Sequence, residues 1–501
     1  MAETQPVELD PGTPEIDLSQ IKKRSVGGVL ALTSRTFLIQ VISFAATFAL
    51  TVFLSPEVYG TFFLVSAVVN FLTYFSDIGL AAALIQKRKK VSRRDLTTTF
   101  TIQQALVLLL VIALFAATPV IKSYYELSSA GVYLLWSLAI SLVLSSLKTI
   151  PSVLLERKLH FDKLVIPQVL ENLVFNLTAV YLAWQGWGVN SFTVAVLARG
   201  VVGLIAMYIV SPWKPALSFS KKSFKRLLQF GLPYQANTFL AVLKDDGMTI
   251  FLGKIIGQQG LGFIGWASKW AFMPLRFFMD NVTKVAFPAY SRVQDDKETL
   301  KRGIEKTLFY LSFVTFPLFV GMGVLAVPFA HLIPRYEKWL PAMIPLYLYL
   351  FNAAWASIST PLTNALNAIG KIKITFKLMV MWVLLTWALM PFLGTRYGYN
   401  GVALAAAIIA LSSIVVLFVV RRLVEVNYFK ALYPATTASI VMGLVLFALR
   451  SYLTTFWRLP LFIALGGFIY LAIIYLIEGK KLFREIKTLL LTLKPDEEPT
   501  T

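Results

Sequence analysis

The sequence predicts an all-α protein that crosses a membrane many times, with about fourteen transmembrane helices in two parallel six-helix lobes and a C-terminal pair. Of its 501 residues, 57% are hydrophobic and 15% are charged, which is typical of a membrane protein. Apolar runs recur at about the 20 residues that a helix needs to span a hydrocarbon core of about 30 Å. Most of the 47 Lys and Arg residues fall between these runs on the side predicted to be cytoplasmic.

The apolar runs give the predicted helices in order. The first half has runs near 26–54, 60–84, 97–121, 131–150, 164–184 and 189–210. The second half has runs near 227–253, 260–287, 304–330, 341–366, 374–394 and 399–420, followed by 432–450 and 458–477. With both termini in the cytoplasm, this topology satisfies the positive-inside rule.

The predicted domains follow from these helices. Residues 1–25 are expected to form a disordered cytoplasmic tail. Their acidic start lacks the succession of basic, apolar and small residues that is typical of a signal peptide. The first lobe covers 26–210 and the second covers 227–420, with a basic cytoplasmic loop at 211–226. Residues 421–478 hold the last two helices, and 479–501 are expected to form a second cytoplasmic tail.

Similar strings in the two halves indicate an internal repeat. Gly188-Val-Asn190 and Gly398-Tyr-Asn400 keep the same offset as Pro151 and Pro361, and Tyr59-Gly60 resembles Leu261-Gly262. Matches this loose also arise by chance, but six helices per unit agrees with the loop charges. Units with an even number of helices are parallel, and this arrangement predicts a shared cavity between the lobes.

Four cations lie well inside predicted helices: Arg35, Arg199, Lys269 and Arg276. Each costs about 2.5 to 3.5 kcal/mol at mid-membrane, so they are expected to face a water-filled cavity or a partner. A guanidinium can bind phosphate oxygens with two parallel hydrogen bonds, so Arg35 and Arg199 could line an anion site. Alternatively, they could pair with Glu171 or with backbone carbonyls. Lys269, Arg276 and Asp280 share one helical face, so Arg276 and Asp280 could equally form a structural ion pair. We expect Arg199 and Arg276, one from each lobe, to hold one anion.

The acidic residues leave several readings open. Glu171 lies on a polar face with Gln168, Asn172 and Asn176, and could be a proton or sodium site, a counter-ion to Arg199 or part of a packing network. Asp77 and Asp245 are further candidates for ion coupling or as counter-ions, although Asp245 could also line a solvated outer mouth. Lys148, near a cytoplasmic helix end, is expected to reach lipid phosphates.

The sequence offers little for catalysis or for a bound cofactor. It has two histidines and no cysteine, and neither histidine has metal-ligand spacing or a catalytic motif around it. We therefore predict that the protein is not an enzyme and has no cofactor, leaving proton or sodium coupling open. The formal charge of +21 follows the membrane topology, so no nucleic-acid partner is expected.

Several strings together resemble the bacterial polysaccharide exporters of the Wzx type, in the branch of teichuronic-acid and colanic-acid exporters. Their superfamily includes the MATE multidrug exporters and the lipid II flippase. The strings cover most of the first twelve predicted helices. They are Leu54-Ser-Pro-Glu-Val-Tyr-Gly60, Asp77-Ile-Gly-Leu80, Ala83-Leu-Ile-Gln86, Glu156-Arg-Lys-Leu-His-Phe161, Phe287-Pro-Ala-Tyr-Ser-Arg-Val-Gln-Asp-Asp296, Lys338-Trp-Leu-Pro-Ala342 and Asn364-Ala-Leu-Asn-Ala-Ile-Gly370.

The resemblance implies a MATE-like fold and a flippase that moves an undecaprenyl-diphosphate-linked oligosaccharide across the bacterial inner membrane by alternating access. The resemblance also implies that this transport serves surface polysaccharide biosynthesis. The implied partners are membrane lipids and the polysaccharide polymerase machinery. Two alternatives stand beside it. A multidrug or cation antiporter would need an acidic, aromatic cavity for cationic drugs. A polytopic glycan polymerase or ligase would need a larger outer loop than this sequence offers.

Overall fold

A computed structural model describes residues 37–87 and 91–479. Within these ranges the chain forms helices and short connections, and no strand occurs. The helices of the first half are α1 (Phe37–Phe53), α2 (Pro56–Thr73), α3 (Leu80–Gln86), α4 (Arg93–Tyr125), α5 (Ser129–Leu147), α6 (Thr149–Arg157), α7 (Phe161–Trp184) and α8 (Asn190–Val210). The second half contains α9 (Lys221–Val242), α10 (Met248–Arg292), α11 (Lys297–Leu332), α12 (Met343–Ala368), α13 (Ile372–Ser412), α14 (Ile414–Leu423), α15 (Tyr428–Leu449) and α16 (Leu459–Glu478).

The helices have the length and surface of membrane helices. Ten helical segments in the described ranges are long and apolar enough to cross a membrane, and α1 is a shorter apolar helix. Large apolar side chains are exposed along them, among them Ile209 and Leu476 at 75% and 80%. Such exposure suits lipid, which is as apolar as these side chains. The predicted all-α polytopic class is confirmed, while the count of fourteen stays a prediction.

Several predicted elements have different bounds, and two of them concern the first unit's loops. The run 60–84 is not one helix, because α2 ends at Thr73 and α3 begins at Leu80. Between them Asp77 Oδ1 accepts a hydrogen bond from the backbone N–H of Leu80 at 2.9 Å, and Gly79 takes the left-handed φ of 78°. The predicted loop 211–226 is also shorter, because α9 begins at Lys221 and carries the basic residues in its first turns.

The described residues fall into two compact units. The first comprises the residues up to Trp266 together with Met379–Val402, and the second comprises Ala267–Leu378 and the residues from Ala403 onward. In the first unit α8 packs against α5 and α7, and α9 packs against α3 and α4. In the second unit α11 packs against α12 and α15, and α15 packs against α16. The lobe bounds 26–210 and 227–420 stay a prediction.

Glycines of the predicted repeat occupy special positions in the first unit. Gly188 and Gly398 both have left-handed backbone conformations, with φ of 55° and 59°. Gly60 of α2 and Gly262 of α10 meet at a close helix crossing. A Cβ on Gly60 would lie 1.6 Å from the carbonyl oxygen of Gln258, and one on Gly262 would lie 1.8 Å from that of Pro56. Each glycine thus meets the carbonyl four residues before the other, so only glycine fits both places.

Candidate functional site

A cluster of three charges forms in the first unit where α7 and α8 pack together near the end of α5. Glu171 of α7 receives a hydrogen bond from Lys148, at the end of α5, with 2.5 Å between Oε1 and Nζ. Its other carboxylate oxygen, Oε2, lies 3.6 Å from Nε of Arg199 on α8. Two cations therefore share one carboxylate, and the cluster has a net positive charge.

The three side chains differ in exposure. Glu171 and Lys148 are 13% and 12% exposed, whereas Arg199 is 53% exposed. Nε of Arg199 lies 3.6 Å from Glu171, and the two Nη nitrogens make no hydrogen bond to a residue that the structure describes. The edge formed by the two Nη nitrogens, which can bind an oxyanion with two parallel hydrogen bonds, is therefore available.

Gly203 makes room for the carboxylate. It lies one turn beyond Arg199 on α8, and a Cβ there would lie 2.1 Å from Oε1 of Glu171 and 2.4 Å from its Cδ. Real Cβ atoms do not approach other atoms so closely, so any side chain at this position would displace Glu171. The glycine lets the carboxylate lie directly against the backbone of α8.

Aromatic and amide groups border the cluster. The guanidinium carbon of Arg199 lies 6.0 Å from the ring centroid of Phe175, one turn beyond Glu171. Phe175 neighbours Phe192 and Phe62, whose rings stack with their centroids 4.1 Å apart. On the polar face of α7, Asn172 donates a hydrogen bond to the Ser43 hydroxyl of α1 at 3.3 Å. The face predicted around Glu171 thus contacts α1, α5 and α8.

The second unit contains two more of the predicted cations. Lys269 is half-buried and Arg276 is exposed, two turns apart on α10. Neither makes an ion pair or hydrogen bond with a described side chain, while the side chain of Asp280, the predicted partner of Arg276, lies outside the described set. Arg35 lies outside the described residues as well. The expectation that Arg199 and Arg276 hold one anion stays a prediction.

The other two acidic candidates already have local partners. Asp77 accepts the backbone hydrogen bonds that start α3. Asp245 lies in a single π-helical turn, Leu243–Gly247, where it is 67% exposed and pairs with the neighbouring Lys244 at 2.7 Å. Among the residues that the structure describes, no group of three or more His, Asp or Glu residues could hold a metal ion.

Two features were missed by the sequence analysis. The sequence predicts that Lys148 reaches lipid phosphates, whereas in the structure it binds Glu171, 23 residues away on another helix. A second cluster surrounds Asp95, whose side chain is fully buried and accepts hydrogen bonds from Lys87 at 2.5 Å and Arg226 at 2.8 Å. Ser92 and Asp95 also form a capping box at the start of α4. The Ser-x-x-Asp spacing could have revealed this capping box, although not its cation partners.

The apolar helices, together with a positively charged cluster set among them, define a polytopic membrane protein with a candidate anion site. The chain belongs to the family described as polysaccharide biosynthesis protein, whose sequence profile matches residues 49–344.

Individual relatives agree with this family. The teichuronic acid biosynthesis protein TuaB of Bacillus subtilis is 25% identical over 79% of this chain and 83% of its own length. The lipopolysaccharide biosynthesis protein WzxC of Escherichia coli is 24% identical over 78% of this chain and 75% of its own. A solved structure of the lipid II flippase MurJ in an inward closed conformation matches with a TM-score of 0.73 and 20% identity, over 90% of this chain and 99% of that one. At that identity the match shows the fold. The fold is therefore that of the MurJ structure.

Proposed function

We propose that the protein is a flippase that moves an undecaprenyl-diphosphate-linked oligosaccharide across the bacterial inner membrane by alternating access. Its family is described by polysaccharide biosynthesis, and the relatives TuaB and WzxC are named for teichuronic acid and lipopolysaccharide biosynthesis. A transporter of this kind moves its substrate without forming or breaking covalent bonds. We therefore propose that the protein has no catalytic residues and no cofactor.

The observation that carries the proposal is the surplus of cations among the membrane helices. Lys148 donates a hydrogen bond to the carboxylate of Glu171 at 2.5 Å. Because Arg199 lies farther from the same carboxylate, at 3.6 Å, its charge is only partly neutralised. An unbalanced cation in an apolar helix is costly unless an anion or water accompanies it. A lipid-linked diphosphate supplies such an anion, with several oxygens that a guanidinium can bind bidentately.

Arg199 is the proposed diphosphate ligand of the first unit. Its Nη nitrogens make no hydrogen bond to a described residue, and the ring of Phe175 lies beside its guanidinium carbon. In the second unit we propose Lys269 and Arg276 as phosphate ligands, and we propose the same role for Arg35. Glu171, Asp280, Asp77 and Asp245 are the proposed coupling or counter-ion residues, with a proton or sodium gradient as the energy source.

We further propose that both termini lie in the cytoplasm, on the side where the precursor is made. The lobes 26–210 and 227–420 are proposed as the moving parts, with 211–226 joining them and 421–478 as additional helices. Membrane lipids and the polysaccharide polymerase machinery are the proposed partners, and nucleic acid is not.

Substitution of Arg199 tests the site. We expect Arg199→Ala to abolish most export at unchanged protein level, and Arg199→Lys to retain part of it, because lysine keeps the charge but loses the bidentate fork. Export is measured as surface polysaccharide in a deletion strain that lacks a redundant flippase, together with the lipid-linked precursor in the inner leaflet. Arg276→Ala is expected to impair export as well.

A matched control uses another arginine of the first unit. Arg396 lies 4.4 Å from the ring centroid of Phe392 and pairs with no carboxylate in the described part of the chain. Arg396→Ala removes the same side chain from an aromatic surface, and we expect normal export. Full export in Arg199→Ala and Arg276→Ala at normal abundance would refute the site. Full export in the deletion strain would refute the proposed function itself.

A further inference from the structure

The cluster at Glu171 raises the question of why a second, largely buried cation, Lys148, lies beside the exposed Arg199. An isolated Glu171–Arg199 pair would be neutral and would have little attraction for an oxyanion. With Lys148 included, two cations share one carboxylate and a positive charge is left over. The position of that surplus charge depends on which cation binds Glu171 more closely.

The distances place the surplus on Arg199. Lys148 donates a hydrogen bond to Oε1 at 2.5 Å, whereas Nε of Arg199 lies 3.6 Å from Oε2, beyond ordinary hydrogen-bond length. Lys148 is also nearly as buried as Glu171, at 12% and 13% exposure, while more than half of Arg199 is exposed. The close pair is therefore shielded from water, and the loose partner is the accessible one.

Loss of Lys148 would change the partner of Glu171. A buried carboxylate without a counter-charge is strongly unfavourable, so it turns to the nearest cation. That cation is Arg199, whose fork of donors can bind a carboxylate with two parallel hydrogen bonds. Because Gly203 has no side chain, the carboxylate lies against the same helix that carries Arg199. The carboxylate therefore has only a short distance to move. The guanidinium edge offered to an oxyanion would then be taken by Glu171.

We propose that Lys148 is a positioning residue that keeps the anion-binding edge of Arg199 free by holding the carboxylate of Glu171. The inference rests on the proposed function, because it assumes that Arg199 binds a diphosphate. It assigns to Lys148 a role in substrate affinity, in addition to helix packing.

The test measures binding of undecaprenyl diphosphate to the purified full-length chain in lipid nanodiscs, with undecaprenol as the control ligand that lacks the diphosphate. The variants are Lys148→Met, Lys148→Arg, Glu171→Gln, the Lys148→Met/Glu171→Gln double variant and Arg199→Ala. We expect Lys148→Met to weaken diphosphate binding about tenfold, the loss of one charge-assisted contact. The double variant is expected to bind like the wild type, because a neutral glutamine no longer competes for Arg199.

Two further variants keep the test decisive if Lys148→Met does not fold. Lys148→Arg preserves the cation and should bind like the wild type. Glu171→Gln removes the competing charge and should bind the diphosphate at least as tightly as the wild type. A purely structural role for Lys148 predicts no rescue in the double variant.

The possible failures are distinguishable. If the double variant binds as weakly as Lys148→Met, or if Glu171→Gln alone weakens binding, the carboxylate orients Arg199 rather than competing for it, and the inference on Lys148 is overturned while the flippase proposal stands. If Arg199→Ala binds undecaprenyl diphosphate like the wild type, the proposed site and the inference fall together.

Discussion

Two carboxylates of the first unit, the buried Asp95 and the largely buried Glu171, are each shared between one lysine and one arginine, yet their surroundings differ. Asp95 is fully buried and accepts four hydrogen bonds, two from its cations at 2.5 and 2.8 Å and two from Ser92. Glu171 accepts one from its lysine, and its arginine lies at 3.6 Å. The hydrogen bonds of the Asp95 network are complete, whereas in the Glu171 network Arg199 keeps donors that make no hydrogen bond to the carboxylate.

The difference separates a structural role from a ligand-binding role. A satisfied buried network rigidifies its surroundings, and the start of α4 carries such a network. Thr97 and Thr101 form hydrogen bonds with Ser218, and Thr98 accepts one from the backbone N–H of Ser220. These bonds attach the connection before α9 to α4, next to the ion pairs of Asp95. An incomplete network such as that of Glu171 leaves a charge that an added anion can satisfy.

The largest expected effect is on the complete network. Asp95→Asn removes the charge that balances Lys87 and Arg226, and breaking a buried pair of this kind costs about 3 to 5 kcal/mol. We expect the free energy of unfolding, measured by SDS titration in mixed micelles, to fall by that amount. Abundance in the membrane should fall with it.

Glu171→Gln is the comparison for Asp95→Asn, because it makes the same chemical change. Glutamine still offers Lys148 an acceptor, and Lys148 lies at a helix end from which its ammonium can extend toward the interface. A smaller loss of stability is therefore expected. Equal losses in the two variants would show that the two networks do not differ in the way that their distances indicate.

An intermediate effect is expected from Gly203→Ala. The added Cβ would overlap the carboxylate of Glu171, and overpacking of this kind costs about 1 to 3 kcal/mol. The matched control is Gly200→Ala on the same helix, whose Cβ would meet Cδ1 of Leu144, the end of a side chain that can move aside. We expect a clear loss of unfolding free energy in the first variant and a slight one in the second.

A double-mutant cycle identifies the cause of the Gly203→Ala effect. In a Glu171→Ala background the atoms that would overlap are absent, so Gly203→Ala should cost nothing further. Additive losses would mean that the alanine disturbs α8 by another route.

The smallest expected effect is that of Ser92→Ala. It removes the N-cap hydroxyl of α4, which accepts from the Asp95 backbone N–H at 3.2 Å and donates to the Asp95 carboxylate at 2.9 Å, at a cost of about 1 to 2 kcal/mol. Export should stay normal in this variant, because the cap does not contact the Glu171 cluster. A loss of export without a loss of stability would indicate that the Asp95 network takes part in transport.

Part of the candidate site could be predicted from the sequence. The sequence singles out Arg199 and Glu171, because charges are rare and costly in apolar helices, and it allows pairing between them. The sequence predicts a place at the lipid surface for Lys148, because a position near a helix end fits that role equally well. Its partner lies on another helix, and only packing brings them within 2.5 Å.

The sequence by itself determined that the protein is an all-α polytopic membrane protein, because helices must satisfy their own backbone hydrogen bonds in lipid and need long apolar runs to do so. It also singled out the glycines at Gly188 and Gly398, both of which adopt left-handed conformations. The tertiary structure alone decided which cation each carboxylate holds, because distances between helices depend on packing. Gly203 shows why: the absence of one side chain on α8 lets Glu171 lie where Lys148 and Arg199 compete for it.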